Sequence, residues 1–137
     1  MPTITRWMIK ASLIYFGAGL TMGAYLLLNK AVVLDPGAWS YLGYHIEIMI
    51  FGWILQFVMG VAYWIMPRFV EGPPRGPIWH SWLMVGFLNG GIWLNLLNLS
   101  FWPVAGLELA GRLLEVASVG MFVFIHWDRI YGLQELQ

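Results

Sequence analysis

The sequence has no cysteine and very little charge. Without Cys it forms no disulfide, thiolate metal site, iron–sulfur cluster or c-type haem attachment. Charged residues fill 10% of the 137 positions and cancel to a formal net charge of 0, so no basic field exists for nucleic acid and no such partner is expected. No phosphate loop or nucleophile–base constellation is present, which leaves soluble-enzyme chemistry without a foothold. No inverted repeat is evident and no helix is clearly broken at mid-membrane, as a small transporter would require.

What the chain has instead is apolar surface. Hydrophobic residues make up 60% of it, and the mean hydropathy is +0.71. An ordinary soluble domain is about 45–50% apolar and roughly 25% charged. A chain of this length has too little volume to hide so much apolar surface from water, so lipid must cover the rest. Aromatics reach 17%, with nine Trp, and many fall near expected helix ends, as interfacial belts do.

A membrane span takes about 20 apolar residues. Four stretches qualify, at about 7–29, 42–66, 78–98 and 106–130. Asp35-Pro36-Gly37, Gly72-Pro73-Pro74 and Pro103 punctuate the short connections between them. The expected fold is all-α: one integral-membrane four-helix bundle over 1–137, up-down-up-down because short connections make neighbours antiparallel. The first span reads as a retained helix rather than a cleaved signal, being long, Gly-interrupted and followed by no small-residue cleavage site. Its Gly19-x-x-x-Gly23 pair, with Gly17 nearby, permits close helix contact, inside the bundle or at a dimer seam. Arg6, Lys10, Arg68, Arg75 and Arg129 fall on one side and Lys30 alone in the loops of the other, which puts both termini in the cytoplasm.

Reflecting positions about each loop gives their depth. His80 and His126 share a level at the cytoplasmic ends of the third and fourth helices. His45 lies at the outer end of the second, roughly 30 Å from His80 along the normal at 1.5 Å rise per residue. No single bundle brings His45 to either other His. The matched pair His80 and His126 is open to a second cofactor or to an interfacial role beside water. Arg112, Glu108 and Glu115 fall level with His45 or one to two turns deeper. Ionisable groups in a span are functional candidates, and a Glu108–Arg112 pair at i, i+4 is the structural alternative. On the second helix His45, Gly52, Gln56, Gly60 and Tyr63 follow 3.6-residue spacing as one stripe. Its two glycines leave a shallow groove where a flat macrocycle would lie. The His on such a stripe is either a hydrogen-bonding group or a haem ligand.

The segment His45-Ile-Glu-Ile-Met-Ile-Phe-Gly52-Trp53, continuing to Gly60-Val-Ala-Tyr63-Trp-Ile-Met-Pro67, resembles the second transmembrane helix of the haem–copper oxidase catalytic subunit, particularly its nitric oxide reductase branch. The resemblance covers nearly the whole chain but only the first four helices of a twelve-helix subunit. In that family a His at the outer end of helix two binds low-spin haem b and a Pro closes the helix, positions matched by His45 and Pro67. The family's second axial His and its copper or iron ligands lie on later helices, so no copper and no oxygen- or NO-reducing centre is expected from this chain alone. The resemblance implies a haem b electron-transfer protein of a prokaryotic-type inner membrane, with His45 as axial ligand; by position rather than by motif, Met49, one turn deeper, and Gly52 are expected to line the haem face. Gln56, Tyr63 and Arg112 are further candidates, Arg112 by its charge toward haem propionates rather than by motif. The second ligand would come from a homodimer placing two His45 about one haem or from a partner subunit; a five-coordinate haem with an open position is the third arrangement. A non-catalytic accessory or assembly subunit of a terminal oxidase or nitric oxide reductase is the alternative function.

Overall fold

The structure, a computed structural model, describes residues 1–69, 72–100 and 104–131. All regular structure among them is helical, and four helices are long and apolar enough to cross a membrane. Helix α1 spans Thr3–Ala31. Helix α2 is composite over Ala38–Ile65: a 3-10 turn at Ala38–Tyr41, an α segment Leu42–Glu47, a π segment Ile48–Leu55 and a second α segment Gln56–Ile65. Helix α3 spans Ile78–Ser100 and α4 spans Ala105–Tyr131. These bounds contain most of each expected stretch and run past it by up to about a turn. Pro103, expected to mark the third turn, lies outside the described residues.

Local chemistry explains the ends. Helix α1 begins directly after Pro2, whose fixed φ suits a helix start. Met66 is extended, with ψ 150, because the ring of Pro67 bars its predecessor from the helical region. The α1–α2 connection is closed by Asn29. Its Oδ1 accepts from the backbone N–H groups of Leu34 and Asp35 at 2.9 and 2.7 Å, and its Nδ2 donates to the Asp35 carbonyl at 2.8 Å. Asp35 in turn accepts from Gly37 N–H at 2.8 Å and from the Tyr25 hydroxyl at 3.2 Å.

Successive helices run in opposite senses. Along α1 and α2, Gly23 meets His45, Gly19 meets Met49, Tyr15 meets Gly52 and Met8 meets Gly60. Along α2 and α3, Tyr44 bonds Ser100 and Ser81 bonds Tyr63. Along α3 and α4, Ser118 donates to the Met84 carbonyl and Gly91 lies against Gly111. A Cβ on Gly91 would stand 2.7 Å from the Gly111 carbonyl oxygen, so the close approach of these two helices requires the glycine. The core between the hairpins is built from Met8, Met59, Met84, Leu88 and Ile92. Most remaining apolar side chains, among them Leu13, Ile14, Val116 and Phe124, face outward, as a lipid-covered surface does.

Candidate functional site

His45 is half-buried near the start of α2, and its ring lies on α1. A Cβ on Gly23 would stand 2.7 Å from the ring Cε1, so Gly23 makes the space for the imidazole. The His45 Nδ1 donates to the Gly19 carbonyl at 2.9 Å. A carbonyl only accepts, so Nδ1 carries a proton, and Nε2 has no hydrogen-bond partner among the described residues. A backbone acceptor at one ring nitrogen fixes the orientation of the imidazole. Beside it an open groove of about 420 Å³ is lined by Gly23, Leu27, Trp39, Leu42, His45 and Met49, among others. Apart from the imidazole, those named side chains are apolar or aromatic.

The six candidate residues divide. His45 and Met49 line this groove. Gly52 faces the ring of Tyr15, and Gly60 faces Met8, so α1 fills the shallow groove expected over the two glycines. Gln56 is fully buried, and neither amide atom has a hydrogen-bond partner among the described residues. Tyr63 is buried at the opposite end of α2, where it accepts from Ser81 and lies edge-on to His126. Arg112 is held on the α4 side.

The surroundings of Arg112 correct the expected Glu108–Arg112 pair. Glu108 is exposed. Arg112 Nη1 instead donates to Glu47 Oε2 at 2.8 Å and to Glu115 Oε2 at 2.9 Å. Its guanidinium carbon lies 5.2 Å from the centre of the Phe51 ring. Asn95 Nδ2 closes the other side, donating to Glu115 Oε1 at 2.9 Å and to Glu47 Oε1 at 3.3 Å. Glu47, Asn95 and Glu115 are 2, 3 and 2% exposed, so the cluster joins α2, α3 and α4 inside the bundle. Glu47 sits at the start of the π segment, a distortion frequent at functional sites.

At the far end, His80 and His126 do lie at a similar level, since His80 meets the ring of Phe124. They face different neighbours. His126 is buried, donates from Nδ1 to the Phe122 carbonyl at 2.6 Å, and leaves Nε2 without a partner. His80 stacks on Trp79. Among the described residues no three His, Asp or Glu side chains are grouped to hold a metal ion. Arg129, also buried, donates to the carbonyls of Pro67 at 2.6 Å, Met66 at 2.8 Å and Tyr63 at 3.4 Å. It thereby satisfies the carbonyls that the end of α2 leaves open.

Sequence reasoning passed over Glu47 and Asn95. The signal for Glu47 was available: it is an ionisable residue two positions into the segment that begins at His45, well inside a span. Asn95 carried a weaker one, a polar residue in the outer half of α3. No family model, curated protein or solved structure matches the chain.

Proposed function

We infer that this multi-pass protein binds haem b through His45 and serves electron transfer in a prokaryotic-type cytoplasmic membrane, with both termini on the cytoplasmic side. The carrying observation is the His45 Nδ1–Gly19 carbonyl bond beside an apolar groove. The residues present fit one face of the group. His45 would hold the iron through Nε2, and Met49, Leu27, Trp39 and Leu42 would line the macrocycle. When bound, haem supplies a one-electron iron couple. The chain's own part is to orient the ring through the Gly19 carbonyl, which also raises the basicity of Nε2, and to keep water from the groove.

His45 and Met49 stand one turn apart on one helix face. Both would meet a bound haem from the same side, so Met49 would not supply a second ligand to the iron that His45 holds. A second ligand would come from another chain, either a second protomer across a two-fold axis or a partner subunit, and without one the iron would keep an open position. The test is haem extraction, as the pyridine haemochrome, from detergent-purified protein produced with haem supplementation. Haem b at up to one per chain, and one per two chains for a shared-haem dimer, supports the reading. Haem-free protein refutes it.

A second reading, a non-catalytic accessory subunit of a terminal oxidase or nitric oxide reductase, draws on α1. That helix is the least enclosed of the four, with 17% of its most apolar stretch buried against 28–39% in the others. An open groove beside Gly17, Ala18 and Thr21 offers its outer face to a partner helix. Haem-free protein would leave this reading standing.

A further inference from the structure

We propose that Arg75 and Arg129 form a receptor for one phosphate group, which the head group of an anionic membrane lipid supplies. The inference is independent of the reading at His45, which lies at the other end of α2.

The chain brings the two cations together without a counter-ion. The α2–α3 connection folds back on itself: Phe69 N–H donates to the Pro74 carbonyl at 3.1 Å and Gly76 N–H to the Pro73 carbonyl at 2.9 Å. Gly76, at φ 73, takes a left-handed conformation that glycine adopts without steric cost. Arg75 is laid over Tyr63, its guanidinium carbon 5.9 Å from the ring centre, and Arg129 reaches the same ring from α4 at 5.6 Å. Arg129 is buried and Arg75 half-buried. Both ion pairs found among the described residues belong to Arg112, so no described carboxylate pairs with either of these cations. Asp128 faces the same cavity but is exposed and pairs with neither.

Unpaired donors are the second observation. Arg75 Nε and Nη2 and Arg129 Nη1 are buried with no acceptor among the described residues. A buried cationic donor without an acceptor is costly, and an anion with several oxygens relieves the charge and the missing hydrogen bonds together. The planar guanidinium fork matches such an oxyanion two bonds at a time. Arg75 makes no hydrogen bond to any described residue, so its side chain is free to turn onto a ligand.

A cavity of about 170 Å³ lies beside them, lined by Arg75, Gly76 and Pro77 of the connection, His80 of α3, and Phe124 and Asp128 of α4, among others. Arg129 follows Ile125, another lining residue, by one turn on the same face of α4. The volume is below the roughly 300 Å³ at which sites for whole small molecules begin, so the cavity admits a head-group phosphate and leaves the acyl chains outside. The outer wall suits those chains, since Phe124 is 64% exposed. Trp79 and Trp82 are exposed at the same end, as aromatic side chains are at the head-group level. Basic pockets between spans at that level recognise anionic lipid head groups.

The test is native mass spectrometry of the full chain, delipidated in detergent and titrated with phosphatidylglycerol or with phosphatidylcholine of the same acyl chains. The wild type is expected to hold one phosphatidylglycerol per chain in preference to phosphatidylcholine. Arg75→Gln breaks no hydrogen bond within the protein and is expected to weaken that binding about tenfold, the loss of one charge-assisted contact. Arg68→Gln, at an exposed arginine of the same connection, is expected to leave it unchanged. Arg75→Lys keeps the charge without the fork, is expected to fall between the two, and carries the measurement if Arg75→Gln fails to fold. Equal binding of the two lipids, or equal losses at Arg75 and Arg68, overturns the proposal. Inorganic phosphate that protects the wild type from thermal unfolding as well as phosphatidylglycerol does would assign the site to a free anion and overturn the lipid source.

Discussion

The ring of His45 is fixed to α1 by its Nδ1 donation to the Gly19 carbonyl, 2.9 Å away, with Gly23 opening the space the ring fills. A backbone carbonyl cannot be removed by substitution, but the space can.

Gly23→Ala places a methyl 2.7 Å from the His45 Cε1 and so forces the ring off α1. Overpacking of this kind costs about 1–3 kcal/mol. The expected outcome is a lower midpoint of thermal unfolding in detergent, together with weaker haem retention. Gly17→Ala, where nothing lies within 4 Å, is expected to change neither.

Arg112→Gln removes the cation shared by Glu47 and Glu115. Breaking a fully buried ion pair costs about 3–5 kcal/mol. Since 42% of the Arg112 side chain is exposed, a smaller loss of about 2 kcal/mol is expected on the same scale. Glu108→Gln, on an exposed residue, is expected to cost within about 0.5 kcal/mol. Denaturant unfolding of the two variants in mixed micelles checks the contrast; equal losses would contradict the pairing.

Arg129→Met strips the donors from the carbonyls of Tyr63, Met66 and Pro67 and is expected to destabilise by about 2–4 kcal/mol, since hydrogen bonds to charged groups contribute about 1.5–3 kcal/mol each and are not additive. Arg68→Met, on an exposed side chain beside it, is expected to leave the unfolding midpoint almost unmoved.

Sidedness is testable because the chain has no native cysteine. Lys30→Cys is expected to react with an impermeant maleimide in intact cells. Arg68→Cys is expected to react only after the membrane is opened. The reverse pattern would invert the topology.

The four spans were legible because a run of apolar residues long enough for a bilayer has few soluble alternatives. Their ends were less so: the 3-10 turn at Ala38–Tyr41 extends α2 ahead of its apolar run. The π segment was invisible, because Ile48–Leu55 is apolar but for Gly52 and shows no period for a distortion to interrupt. Depth was readable by reflection. It put Arg112 near the level of His45, and Arg112 indeed reaches Glu47 two residues further along α2. The partner was not readable. Helical spacing relates residues on one helix and so offered Glu108, whereas rotation of α4 about its axis, set by contacts such as Gly91 on Gly111, turns Arg112 toward α2. The same limit applied to Gly52 and Gly60: their shared face was correct as a pattern, but sequence could not say that Tyr15 and Met8 would occupy it.

The most direct measurement is the dithionite-reduced absorbance spectrum of wild type and His45→Gly, each with and without added imidazole. The account predicts sharp reduced α and β bands in the wild type, their loss in His45→Gly, and their return when imidazole fills the space left by the side chain. Bands that persist in His45→Gly without imidazole, or a wild type with no Soret band after haem supplementation, would contradict it.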